Sequence, residues 1–114
     1  MPVSRARRRY LAFKVHSKKR VNQPEMWNII SKEVRYLYGV KGSAEADPRL
    51  IEYDPSTCFG VLRCSHNYLR EVRAALAHVT EIGGDIASIQ VLRVSGTIKT
   101  LRDKIRQDSA YLPP

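Results

Sequence analysis

Cys58, Cys64 and His66 are the first residues whose types and spacing could do chemistry, since thiolates and an imidazole are zinc ligands. A zinc site takes about four such ligands at short, regular intervals, and the position of Cys58 fits no finger pattern. The two thiols do not pair either. If one strand carries both, they stand ~20 Å apart at ~3.3 Å per residue, whereas a disulfide needs Cα atoms within ~7 Å. Reduced, buried thiols of an intracellular protein are the reading that remains. Glu52 and Asp54, at alternate positions, share one strand face, an arrangement that serves acid–base work or holds a cation. No nucleophile or third ligand converges on them in sequence, so they read as solvent-facing. His16, His66 and His78 fall on three different elements, with no serine or cysteine at a recognisable interval. His66, just ahead of a helix, is the one retained as a candidate. Gly83-Gly84 lacks the flanking pattern of either phosphate-binding glycine loop and reads as a helix C-cap and turn. No catalytic or metal-binding constellation emerges, and no cofactor is expected on the chain.

The charges say more. The 114 residues carry 20 Lys and Arg against 11 Asp and Glu, a formal net charge of +9. Residues 1–20 hold eight of the basic residues (Arg5, Arg7, Arg8, Arg9, Lys14, Lys18, Lys19 and Arg20) and no acid, which leaves the other 94 with twelve and eleven. Such asymmetry points to a polyanion, either nucleic acid or an anionic membrane surface. A transit peptide is also Arg-rich and acid-poor. The period-two alternation from Tyr10 to His16, however, assigns this stretch to the fold. No run approaches the ~18 apolar residues of a bilayer span, and no apolar segment follows the basic start. A secretory or membrane-spanning class is therefore excluded, and a cytoplasmic location is expected.

The elements that must position these residues follow from periodicity. Leu11, Phe13 and Val15 alternate with Tyr10, Ala12, Lys14 and His16 over residues 9–16, which predicts a half-buried strand with helices above it. Pro24 and Glu25 start a helix. Trp27, Ile30, Val34 and Leu37 form its apolar stripe, with Trp27 in the core, and Gly39 stops it. Residues 40–48 lack periodicity and read as a loop. Strands Arg49–Asp54 and Cys58–Cys64 are joined by a tight reversal at Pro55-Ser56. Ser65 or Asn67 then caps a second helix with Leu69, Val72, Leu76 and Val79 on one face. Ile86–Val94 is a fourth strand, with Ala87, Ile89 and Val91 opposed to Ser88, Gln90 and Leu92. After Ser95-Gly96-Thr97, a third helix sets Ile98, Leu101 and Ile105 against a basic stripe of Lys99, Arg102 and Arg106.

With right-handed crossovers, this order builds an α+β, ferredoxin-like or RNA-recognition-motif-like sandwich. It has a four-stranded antiparallel sheet (β-α-β-β-α-β) plus a C-terminal helix. Residues 1–8 form a basic arm, 9–106 the single domain and 107–114 a tail. On an RNA-recognition motif, aromatics of the central strands stack bases, a role open to Tyr10 or Phe13 with Phe59. The segment Thr57–Cys64 contains Phe59-Gly60 but not the second aromatic, and Arg63 stands where stacking would be expected. Recognition of phosphates and shape is therefore expected over sequence-specific reading.

Six stretches, in order, carry a family resemblance. They are Arg8-Arg9-Tyr10-Leu11-Ala12-Phe13, Leu37-Tyr38-Gly39, Arg49-Leu50-Ile51-Glu52-Tyr53, Arg63-Cys64-Ser65-His66, Val72-Arg73-Ala74-Ala75-Leu76 and Val94-Ser95-Gly96-Thr97-Ile98-Lys99. Over about residues 5–106 the chain closely resembles the small protein subunit of archaeal ribonuclease P, protein component 2, which has a eukaryotic counterpart. The resemblance implies part in the ribonucleoprotein that removes the 5′ leader of precursor tRNA, with the RNA as catalyst and Mg2+ at the RNA active site. It also implies an RNA-recognition-motif-like fold, a larger subunit of TIM-barrel-like fold as partner, and joining of two such pairs into a heterotetramer. Eukaryotic relatives usually carry a longer C-terminal extension, so the archaeal form fits better.

Arg5, Arg7, Arg8, Arg9, Lys14, Lys18, Lys19 and Arg20 are accordingly expected to contact RNA phosphates, with Arg63, Lys99 and Arg102 as secondary contacts. Tyr36, Tyr38, Leu92 and Val94 are expected at the protein interface. Three alternatives belong to other classes. A stand-alone RNA-binding or ribosomal module of the same fold would need no barrel-like partner. An acylphosphatase-like enzyme needs an arginine in a glycine-flanked anion loop and a catalytic asparagine, a setting that Asn22, Asn28 and Asn67 lack. A small-molecule regulatory domain leaves the basic end unexplained.

Overall fold

Alternation in the first strand decides what packs where. In the computed structural model, which describes residues 7–107, β1 (Arg8–Ser17) is the central strand and buries Leu11, Phe13 and Val15 on one face. α1 (Gln23–Ala46) and α2 (Leu69–His78) cover that face, contributing Met26, Ile30, Val34, Val72, Ala75 and Leu76 to one continuous core. β2 (Arg49–Asp54), β3 (Phe59–Ser65), β4 (Glu81–Ile82) and β5 (Asp85–Ser95) complete an antiparallel sheet in the order β2-β3-β1-β5-β4. α3 (Ile98–Gln107) lies on the other face, where Leu101 is buried against Ala12 and Val61. The ferredoxin-like class holds, with helices on both sides of the sheet.

The sheet has five strands rather than four. β4 and β5 form a hairpin, and Gly83 (φ 60) and Gly84 (φ 87) are its two-residue turn rather than a helix cap. Positive φ at both central residues matches the twist of the flanking strands, and glycine adopts it without a Cβ clash. α2 accordingly ends at His78, and Val79 is extended core rather than the last helical position.

The largest departure is at residues 40–48. The chain does turn at Gly39 (φ 74, ψ −177), but helix resumes beyond it to Ala46, which is buried, so most of the expected loop is a second helical segment. A glycine with positive φ breaks the hydrogen-bond ladder locally without preventing a new turn from forming after it. Asn22 supplies the start of α1 through a capping box with Glu25: its side chain accepts from the Glu25 N–H at 2.9 Å, and the Glu25 carboxylate accepts from the Asn22 N–H at 3.3 Å. Met26, not Trp27, takes the first core position. Met26 aligns with Ile30 and Val34 at intervals of four, which leaves Trp27 half-buried beside Asp47, Pro48 and Arg49.

Two smaller differences concern turns. Cys58 lies in the β2–β3 turn with φ 59, so the strand begins at Phe59 and the two cysteines do not share it. α2 is entered through a 3-10 turn, His66–Tyr68, without a side-chain cap from Ser65 or Asn67. Gly60 is needed for space, since a Cβ there would stand 2.5 Å from Phe13 Cζ and 3.0 Å from Tyr53 Cδ1.

Candidate nucleic-acid interface

The second face of the sheet collects the polar half of the strand alternation. Register places Arg8, Tyr10, Ala12, Lys14 and His16 of β1 there. Phe59, Val61 and Arg63 of β3, Arg49 of β2, and Ser88, Gln90 and Arg93 of β5 lie beside them. The apolar middle of this face is taken by α3: Tyr10, Ile51, Phe59 and Ile105 pack around the buried Leu101. This closes the base-stacking role open to the aromatics and agrees with the expectation of phosphate and shape recognition. Tyr10 and Phe59 pack with α3, and Phe13 points into the main core, fully buried. An amphipathic helix must cover its apolar stripe, and the nearest apolar surface is the middle of this face.

What stays open is cationic. Arg7, Lys14, Lys18, Arg20 and Lys99 are exposed and have no side-chain partner among the described residues. Arg8 approaches Asp47 at 3.8 Å. Arg9 is half-buried, with its guanidinium 3.4 Å from the Arg8 carbonyl. Lys19 is held against the β4–β5 hairpin, donating to the Gly83 carbonyl at 3.3 Å with Asp85 at 3.8 Å. Arg102 donates to Glu52 at 2.9 Å, so the basic stripe of α3 is divided: one member ties the helix to β2 and Lys99 and Arg106 face solvent. Arg5 lies outside the described residues. The structure thus brings Arg8 and Arg63 together with Arg49, while Lys18 and Arg20 stand on the segment leaving β1. Arg49 and Asp47 carried no signal in sequence, because only strand register puts them beside Arg63 and Arg8.

Several of the remaining candidates have structural partners. Asp54 accepts from the Ser56 hydroxyl and N–H at 2.7 and 2.9 Å, and these bonds lower its pKa from the ordinary carboxylate value. Cys58 and Cys64 are both free thiols. Burial pushes the Cys64 thiol up to about 11, with Arg9 opposing, so it is neutral at pH 7. His16 bonds Gln90 at 2.8 Å and His78 meets Glu33 at 2.5 Å. The His66 backbone N–H donates to the Arg7 carbonyl at 2.7 Å, fixing the start of β1 to the end of β3, while its ring Nδ1 is buried with no hydrogen-bond partner among the described residues. Among the described residues, no three of His, Cys, Asp and Glu gather as a metal site would require, and no helix is long and apolar enough to cross a membrane.

The expected protein-interface residues differ in their surroundings. Tyr36 is 76% exposed and stacks on His78, with ring centroids 6.2 Å apart, beside a shallow groove of about 490 Å³ that includes Ile29 and Val79. Tyr38 and Val94 pack against the main core, and Leu92 is the extra residue of a bulge between β1 and β5.

The fold recurs elsewhere. A chain of the cryo-EM structure of yeast ribonuclease MRP superposes with a TM-score of 0.67 over 96% of this chain and 99% of that one, at 10% identity. In sequence, the model of the Rpp14/Pop5 family matches residues 9–106. The chain belongs to the Rpp14/Pop5 family. This Rpp14/Pop5 protein is 41% identical over 103 residues to the ribonuclease P protein component 2 of Pyrococcus furiosus, which covers 90% of this chain and 86% of that one. It is 32% identical over 113 residues to the protein of the same name from Methanosarcina barkeri, covering 99% and 82%. The match begins at Arg9, so Arg7 and Arg8 lie outside the family model.

Proposed function

We propose that the chain is a protein subunit of ribonuclease P, which removes the 5′ leader of precursor tRNA, and that it binds and assists the catalytic domain of the ribonuclease P RNA. The observation that carries this reading is the match to ribonuclease P protein component 2 along nearly the whole chain, joined to a cationic surface on and around β1. Folding a large RNA brings phosphates together, and a protein surface bearing Arg7, Arg8, Lys14, Lys18, Arg20 and Lys99 lowers that repulsion. The chemistry lies in the RNA, with Mg2+ at its active site, and this chain supplies no catalytic residue. A larger subunit of TIM-barrel-like fold is its protein partner, two such pairs join into a heterotetramer, and Tyr36 with its groove offers an exposed apolar contact for a protein.

The test is precursor-tRNA cleavage by archaeal ribonuclease P RNA at limiting Mg2+, with the RNA alone, with this chain, with the barrel-like subunit and with both. Cleavage rescued only by the pair is the expected result. No rescue by a folded chain that still binds RNA tightly would favour the stand-alone RNA-binding module instead.

A further inference from the structure

One end of the sheet's second face gathers arginines from three strands. Arg49 of β2 stands directly opposite Arg63 of β3, and Arg63 stands opposite Tyr10 of β1. Arg8, two residues before Tyr10, shares that face. Like charges directly opposite on neighbouring strands destabilise a sheet, so this arrangement is a local conflict of the kind found at functional sites. One carboxylate answers it. Asp47 Oδ1 lies 3.2 Å from Arg49 Nε, and its Oδ2 lies 3.8 Å from an Arg8 terminal nitrogen. Asp47 ends α1 in the left-handed conformation (φ 46), with its N–H donating to the Ser43 carbonyl at 3.0 Å, which fixes the backbone that carries the carboxylate. The other nearby acids are engaged: Glu45 accepts from the Tyr68 hydroxyl at 2.8 Å and Glu52 from Arg102.

Arg63 is the least exposed of the three, and its Nε is buried with no hydrogen-bond partner among the described residues. A buried N–H without an acceptor costs its full desolvation. A guanidinium offers Nε–H and a terminal N–H as a rigid fork matched to two oxygens of one phosphate. Three arginines against one carboxylate leave a surplus of two positive charges around that fork.

We propose that Arg8, Arg49 and Arg63 form a seat for one phosphate of an RNA backbone. Arg63, turning its side chain outward so that the unpartnered Nε–H is uncovered, takes two phosphate oxygens through its fork; Arg8 and Arg49 flank the phosphate, and Asp47 is a positioning residue that holds the flanking pair. This deepens the RNA-binding reading and rests on it. Inorganic phosphate presents the same oxygens, so the experiment includes both.

The full chain, labelled with 15N-arginine, is titrated with a short RNA duplex and separately with inorganic phosphate while the Arg63 Nε–H resonance is followed. In parallel, affinity for ribonuclease P RNA is measured against salt for the wild type, Arg63→Lys and Arg63→Gln, with thermal melts confirming the fold. The resonance is expected to move with RNA and, at higher concentration, with phosphate. Arg63→Lys keeps the charge but loses the fork and is expected to weaken RNA binding about tenfold, the worth of one good charge-assisted contact. Arg63→Gln is expected to reduce the slope of log K against log salt by about one. A salt-dependent wild type equalled by Arg63→Lys, with an unmoved resonance, would overturn the seat and leave the RNA reading standing. A resonance that responds to phosphate but not to RNA would also overturn it. Wild-type affinity independent of salt would remove the RNA reading itself. Should either variant fail to fold, the wild-type resonance decides.

Discussion

Replacing Leu101 by Ala is expected to release α3 from the sheet while α1, α2 and the strands stay folded. Leu101 is the fully buried side chain of this ten-residue helix, seated on Ala12 and Val61, and Ile105 is only partly buried. The other ties are the Arg102–Glu52 pair at 2.9 Å and a bond from Lys104 Nζ to the Val94 carbonyl at 3.1 Å. Removing a buried leucine side chain costs about 2–5 kcal/mol, lower where the site can collapse, so about 3 kcal/mol suits this thin cluster. A half-exposed ion pair returns less than about 1 kcal/mol, while holding each residue of the helix in place costs about 1 kcal/mol of conformational entropy. What remains does not keep α3 docked. Hydrogen exchange read by mass spectrometry should show α3 amides losing about 100-fold in protection, the equivalent of about 3 kcal/mol at tenfold per 1.4 kcal/mol. Amides of α1 and α2 should remain protected. Leu76→Ala, a substitution in the main core, should by contrast lower protection everywhere. A uniform loss across all elements in Leu101→Ala would refute the reasoning, because α3 would then belong to the same cooperative unit as the core.

Two further outcomes follow from packing and burial. Gly60→Ala places a methyl 2.5 Å from Phe13 Cζ; overpacking of this kind costs about 1–3 kcal/mol, so the thermal midpoint should fall by several degrees, and an unchanged midpoint would mean that β3 shifts freely. The Cys64 thiol, raised by burial from its ordinary 9.0 to about 11, stabilises the fold fully below pH 9, and that stability is lost as pH rises through 11. Wild-type stability should therefore drop more steeply than that of Cys64→Ala between pH 9 and 11, by up to about 2–3 kcal/mol; parallel curves would remove Cys64 as the source.

Legibility followed periodicity. β1, β2, β5 and α3 were readable within a residue or two because their apolar positions repeat at the interval of the element that carries them. The segment 40–46 was not readable, since Gly39 is a helix-stop signal and the short stretch after it lacks a stripe long enough to show a period. Gly83-Gly84 failed for a related reason: a glycine pair after a helical stripe and one between two short strands look alike until pairing partners are known. The candidate interface divided in the same way. Its cations were visible as composition, but which of them are engaged was not, because Lys19 with Asp85 and Arg102 with Glu52 are partners far apart in the chain.

The sequence by itself determined the order of the elements other than β4 and the helical segment after Gly39, the core face of β1, the concentration of positive charge at one end and the family the chain resembles. These are properties of single segments, set by side-chain alternation and charge, and they survive without knowledge of what each segment touches. Only the tertiary structure decided that α3 occupies the aromatic middle of the second face, that Met26 rather than Trp27 enters the core, and that Arg49 faces Arg63 beside Asp47. Those facts depend on strand register and on which surface an amphipathic helix covers, and both are set by contacts between residues tens of positions apart.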